Sequence, residues 1–189
     1  MLKKLLLING FPLSGKDAFA DAVRAECDLR GVRVRKISTV DKVKEAWKVL
    51  GWDGVTKDED NRAGLHELKI IWSRYMDGSF KYVCAEAQKA HESLQNCVLL
   101  VDSREPEELM RFREAFGPVY TERYVDVPNY NASTVLVRRE NHGALFTNPA
   151  DTRVEELAYD FVVTNIAGDK WKQHLRAEAR RVLGDVKHI

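Results

Sequence analysis

No window of the 189-residue chain approaches the ~20 apolar residues that a bilayer-spanning helix needs. The first apolar run, Leu5–Ile8, is too short for the apolar core of a secretory leader and leads straight into a glycine-bearing stretch. The expectation is a cytoplasmic protein with no membrane partner. An excess of one charge is also missing, because 30 Lys and Arg face 29 Asp and Glu, a net +1. A broad basic field of the kind that holds nucleic-acid backbones is therefore not expected, and any positive field must be local. Cysteine is scarce. Cys27, Cys84 and Cys97 are odd in number and widely spaced, and none stands at metal-ligand distance from a histidine. That argues against a disulfide framework or a zinc site and for reduced, mostly buried thiols. Internal repeats and low-complexity tracts are absent too.

What remains is an ordinary globular composition, 44% apolar and 31% charged, long enough for one domain with a real core. Leu5–Ile8, ended by Asn9-Gly10, suits a strand buried on both faces. Ala18, Phe19, Ala22, Val23 and Ala25 then recur at helical spacing to about Leu29, with Gly31 as a stop. "VRVRKIS", Val32 to Ser38, alternates strictly and predicts a second strand. Residues 39–95 form a helical insertion: Val40, Val43, Ala46, Trp47 and Leu50 share one face, and Leu65, Leu68, Ile71, Trp72 and Tyr75 share another. A third helix runs from about Phe80 to Leu94, and the charged loop "GWDGVTKDEDN" separates the first two. Further strands are predicted over Asn96–Ser103, Ser133–Glu140 and Tyr159–Asn165. Helices are expected over "REPEELMRFREAF" and at the closing "DKWKQHLRAEARRVL". Five strands alternating with helices argue a three-layer α/β domain on a parallel sheet. Residues 116–132 read as an extra loop.

Gly10-x4-Gly15-Lys16 lies directly between the first strand and the first helix. Glycines at that spacing let successive backbone N–H groups point inward and make an anion nest at a helix N-terminus. The lysine would reach the β- and γ-phosphates of a nucleotide, and the residue after it normally offers a hydroxyl to magnesium. Here that residue is Asp17. It is either a first-turn acid favouring the helix dipole or a carboxylate standing in for the hydroxyl near magnesium, directly or through water. A carboxylate beside a triphosphate is repulsive unless a metal lies between them, which favours the second reading. The expected cofactors are thus ATP and Mg2+.

"SGKDAFADAV" resembles the S-G-K-D loop of the P-loop deoxynucleoside monophosphate kinases of phage and bacterial type, and of the animal-type phosphomevalonate kinases. "VEELAYDFVVTN" followed by "GDKWKQHL" resembles the phage-type ending, and "KISTVDKVK" is loosely similar to the acceptor-binding segment of adenylate kinases. The resemblance implies one P-loop kinase domain over 1–189 with the P-loop NTPase fold. Its acceptor-binding insertion would span 39–95 after the second strand, with a small lid-like loop at 140–153. Gly10, Ser14, Gly15, Lys16, Asp17 and Ala18 would hold the nucleotide, and Asn165 lies where the family contacts adenine. Thr39 would face the acceptor. Lys44 stands where the family has a phosphate-binding arginine, with Lys42 and Arg62 as further candidates. Trp47 and Trp72 fit core packing on their helical stripes, and Trp52, in a loop, is open to stacking on a base.

"VLLVDSRE" sets Asp102 and Arg104 at the C-terminal end of a strand, the edge where open α/β sheets bind ligands. Asp102 suits an outer-sphere magnesium partner, and Arg104 the acceptor phosphate. Arg138 and Arg139 end another strand and point to opposite faces, so one is expected to reach the cleft. The implied activity is ATP-dependent phosphoryl transfer to a small-molecule monophosphate, foremost a (deoxy)nucleoside monophosphate, by a monomer or homodimer. Lys16, Arg104 and Arg138 would act as catalytic cations, and Arg104 and Arg139 would hold the acceptor. A kinase for a non-nucleotide phosphate such as phosphomevalonate, or a nucleotide-binding module acting through a partner, are the rival readings.

Overall fold

The computed structural model describes residues 3–56, 58–92, 96–117, 128, 130–140 and 153–184. Five strands, β1 (Lys3–Asn9), β2 (Arg33–Ser38), β3 (Cys97–Asp102), β4 (Asn131–Arg139) and β5 (Phe161–Asn165), form one all-parallel sheet in the order β2-β3-β1-β4-β5. The helices are α1 (Lys16–Asp28), α2 (Asp41–Val49), α3 (Glu59–Met76), α4 (Gly78–Glu92), α5 (Pro106–Phe116) and α6 (Trp171–Leu183). β1 is central, and its alternation serves two cores. Leu6 and Ile8 pack with α1 and α6 on one face, and Leu5 and Leu7 with α4 and α5 on the other. This continuous burial is what a parallel strand covered on both faces requires. The fold is the three-layer P-loop NTPase fold expected from the sequence.

Charged residues inside these layers tie helices together. Lys4 is buried on β1 and donates to the carbonyls of Val182 (2.5 Å) and Leu183 (3.1 Å). It thereby caps the C-terminal end of α6, where the last carbonyls have no helical partner and the dipole favours a cation. Glu26 is buried on α1 and accepts from Arg176 (3.1 Å) and Arg180 (2.8 Å) of α6, and the Arg180 guanidinium above all holds its carboxyl below the usual range.

The strict alternation of "VRVRKIS" marks β2 as an edge strand. Val34 and Lys36 turn toward the α1 face, while Arg35 pairs with the buried Glu86 of α4. Between β2 and β3 the three expected helices are present, but two of their apolar faces are not buried as the stripes suggest. In α2 only Val43 is buried, and Leu50, expected on the same face, is 69% exposed just past the helix end. In α3 the one buried residue is Lys69, while Ile71 and Tyr75 face solvent. Trp47 and Trp72, assigned to core packing, are half-buried and act as helix spacers. A Cβ at Gly64 would lie 2.4 Å from the Trp47 ring, and one at Gly78 2.0 Å from the Trp72 ring. The two glycines thus bring α3 onto α2 and the start of α4 against α3. α3 ends at Asp77 in the left-handed region (φ 53), a conformation that aspartate tolerates and that Arg111 of α5 fixes with a two-pronged ion pair. α4 ends at Glu92, and the expected continuation to Leu94 falls outside the described residues. So does most of the 116–132 loop, although Tyr130 at its end is core. It is buried against Phe116 and donates its hydroxyl to the carbonyl of Ala87 (2.7 Å).

Candidate functional site

The C-terminal ends of β1 and β3 are adjacent, and the chain leaves them toward opposite faces, into α1 and α5. Such a switch opens a crevice at the sheet edge. Gly10 to Gly15 occupy it. Gly10 (φ 155) and Gly15 (φ 96) adopt backbone conformations open to glycine, and both are also pressed from outside. A Cβ at Gly10 would meet the Val137 carbonyl at 2.4 Å, and one at Gly15 the Asn165 amide nitrogen at 2.2 Å. The loop is therefore seated by β4 and β5 as well as by its own sequence. Asn9, fully buried, starts it: its side-chain oxygen accepts from the Gly10 N–H (2.7 Å), and its amide donates to the Tyr159 hydroxyl (2.8 Å). Tyr159 in turn donates to the Val154 carbonyl (2.5 Å), and burial pushes its own pKa to about 12.

Within the loop, the Lys16 ammonium donates to the carbonyls of Gly10 (2.6 Å) and Phe11 (3.0 Å), so the cation lies back across the loop. The Ser14 hydroxyl is buried with no partner among the described residues. A buried polar atom left unsatisfied is costly and calls for a ligand. Ala18 follows in the first turn of α1. Asn165, expected at the adenine, braces the loop by donating to the Ser14 carbonyl (3.4 Å).

Asp17 is ion-paired with Lys36 of β2, and that contact is the main reason its carboxyl is held below the usual range. Lys16 and Lys44 contribute less. Asp102 is enclosed at the end of β3, and burial pushes its carboxyl up against the opposing pull of Lys16, Lys36 and Arg104. Its carbonyl accepts from the Thr39 N–H (3.1 Å) and the Ser38 hydroxyl (3.3 Å), which fixes the end of β2 beside it. Among the described residues no three His, Cys, Asp or Glu gather as a metal cage. Magnesium bound through phosphates and waters needs only one or two carboxylates, and Asp17 and Asp102 fit that smaller demand.

Thr39, expected to face the acceptor, has its side chain buried, and its carbonyl receives the Ser79 hydroxyl of α4 at 3.5 Å. Lys42 is paired with Glu45 (2.6 Å) and lies 5.8 Å from the Tyr82 ring centre. Lys44 is 4.0 Å from Asp41. Arg62 is exposed near the start of α3, with no side-chain partner among the described residues. Trp52 donates its indole N–H to the Thr56 carbonyl (2.8 Å) inside its own loop. Arg104 is half-buried, and its carbonyl accepts from Asn9 (3.4 Å). Arg138 and Arg139 are both exposed. Arg138 pairs with Glu155 (3.0 Å), and Arg139 stands in register with Asn165. Of the lid-like loop, Glu140 and Arg153 are described and 141–152 are not. Arg153 pairs with Glu107 and Glu156. The structure thus gathers Gly10–Asp17, Asp102, Arg104 and Asn165 at one edge, and leaves Lys42 and Arg62 out on the insertion.

Sequence reasoning did not single out Asn9, Tyr159, Lys36 or the group around Lys69. The Lys69 ammonium pairs with Glu105 and with Glu108 (3.0 Å), and the Ser103 hydroxyl donates to Glu108 (2.7 Å). Lys36 had a legible signal, since alternation in β2 puts it on the face of α1 two residues before Ser38. Lys69 had none, because it sits within an apolar stripe that reads as the buried side.

Neither a family model nor any curated protein matches the chain. Among solved structures it is similar to a candidate kinase from Chloroflexus aurantiacus, with 14% identity over 97% of this chain and 98% of that one and a TM-score of 0.50. A thymidylate kinase from Ehrlichia chaffeensis aligns at 10% identity over 97% and 100%, with a TM-score of 0.49. An APS kinase from Mycobacterium tuberculosis, in complex with AMPPNP and APS, aligns at 13% identity over 97% of each chain, with a TM-score of 0.47. At such identities the likeness is one of fold.

Proposed function

We propose that this protein transfers the terminal phosphoryl group of ATP to a small-molecule monophosphate, with a (deoxy)nucleoside monophosphate as the preferred acceptor. One observation carries the reading. A glycine loop with an orphaned buried hydroxyl at Ser14 and the Lys16 cation shares its sheet edge with Arg104, next to the helices inserted after β2. A phosphate site and a second cation at one edge are what in-line transfer between two anions demands.

In this reading the loop amides and Lys16 hold the β- and γ-phosphates, and the Ser14 hydroxyl gains its missing partner there. Lys16 exchanges two carbonyl acceptors for phosphate oxygens, a stronger charge-assisted contact. Arg104 holds the acceptor phosphate. Arg138 or Arg139 offsets charge on the moving phosphoryl group, and for Arg138 this means leaving Glu155. Magnesium, held by Asp17 or Asp102 together with the phosphates, would neutralise charge between the β- and γ-oxygens. No side chain becomes covalently modified, because orientation and electrostatics supply the rate. Deoxynucleotide preference rests on the resemblance of the S-G-K-D loop and the chain's ending.

The test is ADP release with ATP and magnesium across ribo- and deoxynucleoside monophosphates and phosphomevalonate, with Lys16→Met as control. Stimulation by one acceptor, lost at least a hundredfold in the variant, is the expected result. Flat background across the panel with ATP still bound would replace the kinase by a nucleotide-binding module.

A further inference from the structure

Asp17 stands where a phosphate loop normally offers a hydroxyl, yet it does not stand alone. Its carboxylate is 90% exposed and ion-paired with Lys36, whose side chain is only 26% exposed. Lys36 comes from the sheet, not from the loop. It lies in register with Leu100 on β3, two residues short of the Ser38–Asp102 pair, and alternation turns it toward α1. The neighbouring charges are Lys16, Lys44 and Asp102, so lysines stand beside both acids of the edge. A carboxylate next to a bound triphosphate repels it, and a partner fixed in the sheet cancels that repulsion without any metal.

We propose that Lys36 is a charge-balancing, positioning residue of the phosphate site: it holds Asp17, cancels that carboxylate's repulsion toward a bound triphosphate, and so sets how strongly nucleotide binding depends on divalent cation. The inference rests on the loop being a nucleotide site. It explains why an acid after Lys16 is compatible with that site, and it assigns a function to a residue outside the loop and the insertion. Losing Lys36 removes the main partner of Asp17 and leaves the weaker pull of Lys16 and Lys44, so magnesium becomes the chief screen and the loss is felt mostly when the metal is absent.

The experiment is equilibrium binding of ATP to the full chain in EDTA and in excess magnesium, with thermal unfolding recorded for every variant. Lys36→Met is expected to weaken binding in EDTA about tenfold more than in magnesium, a difference of about 1.4 kcal/mol. Lys36→Arg keeps the wild-type pattern. Adding Asp17→Asn to Lys36→Met returns metal-free affinity to within about threefold of wild type, since the repelling charge has gone with its partner. Equal losses in both media, with no rescue by Asp17→Asn, would make Lys36 a mere tie between β2 and α1 and overturn the proposal. Should Lys36→Met fail to fold, Asp17→Asn alone decides, because Lys36 unopposed must tighten metal-free binding severalfold. Unchanged or weaker binding there also overturns it. Binding is read without turnover, so ATP binding with no acceptor phosphorylated sinks only the kinase reading. No ATP binding by the wild type in either medium sinks both.

Discussion

The sheet and the helices inserted after β2 are built by different means. The sheet side is dry. Leu5, Leu6 and Leu7 of β1 and Val98 to Val101 of β3 have no exposed surface, and the helices over them bring whole apolar faces. The inserted side, α2 and α3, buries one residue from each helix, Val43 and Lys69. Its ties to the rest combine a little ring packing, Trp72 against Gly78 and Tyr82, with polar and ionic contacts: Lys69 to Glu105 and Glu108, Asp77 to Arg111, and a contact between the Ser73 and Ser79 hydroxyls at 2.8 Å. Apolar burial at about 25 cal/mol per Å2 makes the sheet side the rigid platform. With so little apolar burial, the inserted side is expected to open locally at lower cost than the sheet. A phosphate loop needs the first kind of support, because its backbone must be held against Val137 and Asn165. In the proposed function, helices that would admit and release an acceptor benefit from the second.

The largest expected effect is on the platform. Phe112 is 1% exposed, stacked on Phe80 at 5.6 Å and next to Phe116 at 6.4 Å. Phe112→Ala should cost about 3–5 kcal/mol through lost burial and a residual cavity, read as a shift in the denaturant midpoint of the whole protein. A loss below about 1 kcal/mol would mean that the platform is looser than its packing implies.

Next comes the clamp on the inserted side. Lys69→Met leaves two half-buried carboxylates without their buried cation, at a cost of about 1–3 kcal/mol. The comparison predicts that this loss appears as faster amide exchange in α3, with β1 and β3 protected as before. Equal loss in the strands would show one cooperative unit instead of two. The pH dependence sharpens the point. Glu105 is also pushed up by burial, but Lys69 and Ser103 hold it net below the ordinary glutamate value. Glu108 is pushed above that value by burial and by Glu105. A lowered carboxyl stabilises above the ordinary value and loses its contribution as pH falls through its own pKa. A raised one stabilises as pH falls toward the ordinary value from above. Protection of α3 should therefore peak near pH 4.5, the ordinary glutamate value, and Lys69→Met should remove the acid-side decline.

The same contrast explains what was legible in the sequence. Every strand and helix among the described residues was visible in order, because buried parallel strands write continuous apolar runs and the loop writes its glycines. The platform's faces were legible as well, since Leu5 to Ile8 can only be inside. The faces of α2 and α3 were not. Their stripes at Val40 to Leu50 and Leu65 to Tyr75 have the helical period, but period says only that one face differs from the other, not which face is covered. Lys69 lies among apolar residues and is nevertheless the buried one, because its partners Glu105 and Glu108 arrive from a helix more than thirty residues away. At the site, the loop, Asp102 and Arg104 were legible from strand ends. Lys36 left only its place in the alternation of β2, and Tyr159, which acts across strands, left no local pattern.

The smallest expected effect tests the uncovered face itself. Tyr75 is 75% exposed and Ile71 50%, on the stripe that periodicity alone would have buried. A side chain already in water contributes little on folding, so Tyr75→Ser should change stability by no more than about 0.5 kcal/mol. The measurement is made at two protein concentrations, since a face covered by a second copy of the chain would be stabilised by mass action. A concentration-independent change within that limit leaves α2 and α3 as helices held by ion pairs and two tryptophan contacts and open on their outer side. A cost above about 1 kcal/mol that grows with protein concentration, matched by a smaller sedimentation coefficient for the variant, would show that the inserted side has its apolar cover after all, supplied by a partner subunit. The contrast between the two regions would then belong to the monomer alone.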